Sequence, residues 1–154
     1  MEKVEKDFQE LLALFNKHKV HYCIIGAFAV AFHAVPRYTK DLDLLIEADL
    51  ENGKRIVAAL QEFGFGSLKL KPTDFVKEGQ FIQLGYEPLR IDLITSIDGI
   101  KFSHVWKNKE KGTYGLEKVF FIGLNELIKN KKASGRKQDL VDLEILSRVH
   151  KKKS

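Results

Sequence analysis

The sequence predicts one mixed α/β domain, a short sheet with helices packed against it, and three observations support that reading. Strand and helix patterns alternate between residues 20 and 63. Two apolar strand patterns, one carrying Asp41 and Asp43 and the other Asp92, hold acids where a core strand would be purely apolar. The chain then closes on two successive helical patterns broken at Ser134-Gly135. At 154 residues there is length for one proper core and none for a large second domain, so residues 1–150 form a single domain followed by a basic tail, 151–154.

In chain order, residues 2–18 predict an amphipathic helix, because Val4, Phe8, Leu11, Leu12 and Phe15 recur at helical spacing. Residues 20–25 predict a strand. A short helix opens at Ala27 and closes before Pro36, and a second strand carries Asp41 and Asp43. Residues 49–63 predict a helix capped by Gly64, with Ile56, Val57, Leu60 and Phe63 turned inward. Strands over 65–70 and 79–84 are separated by the turn cluster Lys71-Pro72-Thr73-Asp74, and Gly85-Tyr86-Glu87-Pro88 turns the chain into a strand over 89–97. Asp98-Gly99 then predicts a hairpin turn into a strand over 100–106, residues 107–118 a mobile surface loop, and residues 119–122 a last short strand. Helices over 124–132 and 138–149 complete the chain.

The chemistry concentrates between Gly26 and Ile46. A helix N-terminus leaves backbone N–H groups free and carries a positive partial charge, and Gly26 lets a phosphate approach the backbone closely. Strand alternation puts Asp41 and Asp43 on one face and Leu42, Leu44 and Ile46 on the other. Two carboxylates so placed repel unless a cation lies between them, and hard oxygen ligands of this kind suit Mg²⁺, which keeps several waters and bridges to phosphates. Asp92 lies within an apolar run and shares its strand face with Arg90 and Ile94. Two accounts of it stay open, an ion pair with Arg90 and a third metal ligand. His21 and Cys23 read as packing residues, Phe102 and Trp106 as packing rather than a base-stacking platform, and His33 as a packed residue near Arg37.

The composition, 44% hydrophobic and 31% charged, is that of an ordinary globular protein. No apolar run approaches the length of a membrane span, and the mixed-charge start lacks a signal core, so the expected location is the cytoplasm, with no membrane partner. The single cysteine excludes an internal disulfide and a thiolate zinc cluster. The net charge of +5 is uneven, with nine Lys/Arg against three Asp/Glu from Lys129 onward and seventeen against eighteen before it. Contact with triphosphate or nucleic acid is one reading of that basic end, and a solvated helix face with a frayed tail is the other.

The segment G-A-F-A…R-Y-T-K-D-L-D resembles the minimal bacterial nucleotidyltransferases of the DNA polymerase β superfamily, whose signature reads G-G/S-x-A followed by R-x-T-x-D-x-D. The matching residues are Gly26, Ala27, Ala29, Arg37, Thr39, Asp41 and Asp43, with Ala27 standing where that family carries Gly or Ser. A second stretch is similar to the family's L-I-x-x-K-x-A-x-G-R-x-x-D-L-x-D-L pattern, through Leu127-Ile128, Lys131, Ala133, Gly135-Arg136, Asp139-Leu140 and Asp142-Leu143. Together the two cover residues 20–146. The resemblance implies a nucleotidyltransferase fold with a C-terminal helical hairpin and three carboxylates gathered at one edge of the sheet. It also implies transfer of a nucleoside monophosphate from an NTP to a hydroxyl, with two Mg²⁺ ions, or Mn²⁺ in their place, held by Asp41, Asp43 and Asp92. Arg37, Thr39, Lys40, Lys131 and Arg136 become candidates for the phosphates, with Gly26 and Ala27 at the turn and Asp139 orienting Lys131 or Arg136. The small size favours a macromolecular acceptor, tRNA or protein, or a partner chain as in toxin–antitoxin pairs. The rival reading is a catalytically degenerate nucleotide- or partner-binding module.

Overall fold

The computed structural model describes residues 4–36, 38–85 and 89–153. Six strands, β1 (Tyr22–Ile25), β2 (Asp41–Ile46), β3 (Phe81–Leu84), β4 (Arg90–Ile94), β5 (Glu110–Tyr114) and β6 (Glu117–Phe121), form one mixed sheet in the order β3-β4-β2-β1-β6-β5. β2 and β4 run parallel, as do β1 and β6, and the other neighbours are antiparallel. Six helices complete the fold: α1 (Lys6–Lys17), α2 (Gly26–His33), α3 (Leu50–Phe63), α4 (Phe102–Lys107), α5 (Leu124–Ser134) and α6 (Lys137–Lys153).

The core forms where the apolar periodicity demands it. α1 buries Phe8, Leu11, Leu12 and Phe15, each worth about 1.5–3 kcal/mol of transfer free energy, and packs on α3 and β6. α3 begins at Asp49, whose carboxylate accepts from the Asn52 N–H at 2.7 Å, and ends at Gly64 as the sequence predicts. All four β1 residues are buried, and on β2 only Asp41 and Asp43 break the buried run. The sheet therefore has a fixed register, with Ile25 opposite Asp43 on one side and Asp92 beside Asp43 on the other.

Four predicted elements differ. Residues 65–70 are not a strand: a 3₁₀ turn spans Gly66–Leu68 and Lys69 adopts φ +54°, which breaks extension. Residues 100–106 turn after an isolated Ile97–Ile100 bridge into α4, because Phe102, Val105 and Trp106 recur at a spacing of three and four, the helical period. Residues 107–118 are not a mobile loop but contain β5 and the start of β6, a hairpin whose charged strand buries only Tyr114 and so shows no apolar alternation. The basic tail is not frayed, since α6 continues through Lys153. The Gly85-to-Pro88 turn falls on Tyr86, Glu87 and Pro88, outside the described residues.

Candidate active site

The carboxylates lie on neighbouring interior strands rather than at one edge of the sheet, because the parallel β2–β4 ladder pairs Asp43 with Asp92 and Asp41 with Arg90. Asp92 is 1% exposed. Its Oδ2 accepts from Arg90 Nη2 at 3.2 Å, and the same guanidinium nitrogen lies 3.5 Å from Asp41 Oδ2. Asp92 Oδ1 is buried without an N–H or hydroxyl donor. Burial, the close Asp92 charge and a hydrogen bond shared with Asp92 hold the Asp43 carboxyl up at about 7, and Asp41 adds to this while Arg90 offsets part of it. Burial also raises Asp92, against the lowering effect of Arg90. Two adjacent acids sharing one proton are what a carboxylate pair becomes when no cation neutralises it.

Gly26 closes the other side. It has φ +68°, and a Cβ built on it would stand 2.3 Å from Asp43 Oδ2, so the turn into α2 and the acid on β2 require a glycine here. α2 begins at Gly26 with no side-chain cap, leaving its first N–H groups for a ligand beside Asp43, and Ala27 is its second residue. Thr39 Oγ1 accepts from the Asp41 N–H at 3.3 Å, which shapes the entry to β2. Lys40 is exposed, and its carbonyl accepts from the Arg90 N–H at 3.0 Å. Arg37 lies outside the described residues.

The α5–α6 corner approaches from a distant part of the sequence. The Asp98-Gly99 turn packs on α5, where a Cβ at Gly99 would meet Ala133 Cβ at 2.5 Å, and Asn130 Nδ2 donates to Asp98 O at 3.0 Å. Lys131 is buried between Asp139 Oδ1 at 3.1 Å and Asp142 Oδ2 at 3.3 Å. Arg136 is 78% exposed and holds Asp139 Oδ2 through Nε at 2.8 Å, while Ser134 Oγ donates to the same oxygen at 2.7 Å. Burial alone would raise Asp139, but the hydrogen bonds from Arg136, Ser134 and Lys131 outweigh it and hold the carboxyl well below the usual carboxylate range. Arg136 is raised mainly by its hydrogen bond to Asp139, with smaller contributions from Asp98 and Asp43, so its charge lies within electrostatic reach of the carboxylate pair.

The lysine and arginine of this corner therefore differ in circumstance. The Lys131 ammonium is taken by two buried acids, whereas the Arg136 guanidinium is exposed to solvent and held by Asp139 alone among the ion pairs of the described residues. Sequence reasoning weighed Arg90 only as a partner for Asp92; the pairing of Arg90 with Asp41 across β2–β4 needed the strand register, which no local motif contains. His33 is buried, with Nε2 2.7 Å from Ile122 O, which fits its reading as a packed residue. His21 stacks on Trp106 at 4.3 Å and hydrogen-bonds Glu47 at 3.0 Å.

A strand–helix–strand unit that sets a glycine-started helix against acids on two parallel strands defines the class: this is a nucleotidyltransferase. The chain belongs to the aminoglycoside-2''-adenylyltransferase family, whose model matches residues 7–119. No curated protein sequence matches it. Among solved structures it is similar to the lincosamide antibiotic adenylyltransferase LnuA in its lincomycin-bound form, with 16% identity, a TM-score of 0.59, and 97% of this chain and 99% of that one covered. It is also similar to TM1012 from Thermotoga maritima, a protein assigned as a nucleotidyltransferase, with 15% identity, a TM-score of 0.61, and 93% and 94% covered. At these identities the likeness is one of fold. The fold matches extend over the α5–α6 corner, which the family match does not reach.

Proposed function

We propose that the protein transfers a nucleoside monophosphate from an NTP to a hydroxyl of a small antibiotic-like acceptor, with Asp41, Asp43 and Asp92 as the metal ligands. The observation that carries this reading is the Asp43–Asp92 pairing across parallel strands, which sets a half-buried acid beside a buried one whose Oδ1 has no N–H or hydroxyl donor. That donor set suits a hard divalent cation, although among the described residues no three acidic, His or Cys side chains converge enough to hold one unaided. Arg90 Nη2 stands between Asp41 and Asp92, 3.5 Å from Asp41 Oδ2 and 3.2 Å from Asp92 Oδ2. Mg²⁺, or Mn²⁺ in its place, supplies charge stabilisation for an in-line displacement when bound.

This chain's own residues have distinct tasks in that reading. The N–H groups at the start of α2 and the Arg136 guanidinium bind phosphate oxygens, Arg136 because its planar fork matches phosphate geometry and its side chain, anchored on Asp139, is exposed to solvent. Lys40, Thr39 and Arg37 are the nearby candidates on the loop that enters β2. Lys131 and Asp139 brace Arg136. Asp92 takes the proton of the acceptor hydroxyl as that oxygen bonds to the α-phosphorus, the bond to the bridging oxygen breaks, and pyrophosphate leaves.

The acceptor proposed here is supported by the family and by one structural neighbour. A family named for aminoglycoside adenylylation and a similarly folded, fully covered neighbour crystallised with lincomycin both point to a small polyhydroxylated acceptor. Small size gives no preference for tRNA, protein or a partner chain, since a chain covered to 99% by this one holds a small antibiotic. Incubation with α-labelled ATP or GTP, Mg²⁺ and, separately, an aminoglycoside, lincomycin, bulk tRNA and a protein extract tests this directly. Label on a small acceptor supports the proposal. Label on tRNA or protein alone would move the reading to a macromolecular acceptor, and NTP binding without any transfer would leave a binding module.

A further inference from the structure

A protein cation already stands among the carboxylates that are read as metal ligands. Asp41 and Asp43 alternate with Leu42 and Leu44 along β2, and Arg90 and Asp92 alternate with Ile91 and Leu93 along β4. The register pairs Asp41 with Arg90 and Asp43 with Asp92, so three acids and one arginine share one face of the sheet. Arg90 Nη2 lies 3.5 Å from Asp41 Oδ2 and 3.2 Å from Asp92 Oδ2. Among the described residues, the acids within ion-pair distance of Arg90 both belong to the proposed ligand set. An arginine that only neutralises a buried acid needs one partner, which Asp92 supplies. The second contact brings in Asp41, whose side chain is 38% exposed and is neutralised by solvent without help.

Of these partners, Arg90 is the one built to change position. The Asp92 side chain is 2% exposed and short, whereas that of Arg90 is 29% exposed and long. The Arg90 backbone is fixed by its N–H, which donates to Lys40 O at 3.0 Å, so a change of partner falls on the side chain. On the other side of β4, β3 sets exposed Gln83 opposite Asp92, and an amide there brings that acid no second cation.

We propose that Arg90 is a built-in competitor of the divalent cation: its guanidinium ties Asp41 to Asp92 and must leave them for a metal to bind. The inference rests on the reading of Asp41, Asp43 and Asp92 as metal ligands. It makes the ion pair and the ligand role of Asp92 two successive states of one carboxylate. A unit charge within about 4–6 Å shifts the proton affinity of a carboxylate by roughly 10- to 1,000-fold, and a divalent cation is affected more strongly than a proton. Asp92 Oδ1 has no N–H or hydroxyl donor, but a metal on that oxygen would still face the guanidinium held by its twin. Metal alone therefore binds weakly, and the triphosphate, which offers a guanidinium other oxygens, brings the metal in with it.

The test is an EPR-detected Mn²⁺ titration without nucleotide at about pH 8.5, above the value to which Asp43 is raised, so that protons do not compete. Arg90→Gln should bind Mn²⁺ at least about 10-fold more tightly than the wild type. Arg90→Lys, which keeps the charge, should stay within about 3-fold of it. Asp43→Asn should lose Mn²⁺ binding with or without Arg90, which separates the two readings. An Asp43→Asn protein that binds as the wild type does, or an absence of Mn²⁺ binding by every variant, removes the ligand set and this inference with it. A second measurement needs no neutral variant to fold: nitrogen-15 NMR of the wild-type Arg90 guanidinium, assigned by its loss in Arg90→Lys, should show restrained rotation in chelator and averaged rotation at saturating Mg²⁺. The competitor role is overturned, with the metal site intact, if Arg90→Gln binds Mn²⁺ no more tightly than the wild type. It is equally overturned if the guanidinium stays restrained at saturating Mg²⁺, the result expected if Arg90 and the metal share Asp92.

Discussion

Gly26 and Asp43 depend on each other through a single close approach, and both belong to the proposed metal site. Gly26→Ala must place a methyl within 2.3 Å of Asp43 Oδ2 and hold φ at +68°, so the variant should lose about 1–3 kcal/mol of stability and most NTP binding. A fully active Gly26→Ala protein would show that Asp43 does not need its observed position. The shared proton gives a second prediction, for the metal-free protein. Asp43 has a folded pKa of about 7 against about 3.9 unfolded, so the native state keeps a proton that the unfolded chain has lost. Its contribution should make melting temperature in chelator fall as pH rises from about 4 to 7 and flatten above that. Mg²⁺ should restore the loss at pH 8, and a chelated protein that gains stability over this interval in a way Asp43→Asn does not alter would contradict the shared proton. Asp92→Asn should leave an NTP–Mg²⁺ complex measurable by calorimetry while lowering transfer by at least about 10²-fold. Transfer at the wild-type rate would leave the ion pair with Arg90 as the whole account of that acid.

The helices α5 and α6 meet in a buried charge network whose members should respond differently to mutation. Lys131→Met leaves Asp139 and Asp142 buried without their shared cation and should cost about 3–5 kcal/mol. Arg136→Ala removes an exposed side chain and should change the melting temperature little while weakening NTP binding. A large loss of stability with unchanged binding would make Arg136 structural. Elements with strong local signals were legible in the sequence: α1 from its apolar stripe, α3 from Asp49 and Gly64, and the strand–turn–helix–strand unit from Gly26 and the alternating acids of β2. What escaped was set by tertiary context. β5 packs a single residue, Tyr114, into the core and so lacks a periodic pattern, and α4 is a short amphipathic segment whose apolar run also fits a strand. The three acids could be nominated one by one, but their placement on adjacent interior strands depends on β4 pairing in parallel with β2, a register outside any local window.

At the scale of the molecule, one sheet joins two surfaces of opposite character. Asp43 on β2, paired with Asp92 on β4, lies against the start of α2, and lysines border the β5–β6 hairpin. No helix among the described residues is long and apolar enough to cross a membrane. The central claim is that the β2–β4 register builds a metal-dependent nucleotidyl-transfer centre, and it predicts that chelator and the loss of Asp43 have the same effect. The most direct measurement is transfer of α-labelled nucleotide to an aminoglycoside or lincomycin by the wild-type protein with Mg²⁺, by the same protein in excess EDTA, and by Asp43→Asn with Mg²⁺. Transfer in the first case, abolished in the other two while the variant retains its fold, is the predicted result; undiminished NTP binding and transfer in EDTA, or by Asp43→Asn, would contradict it.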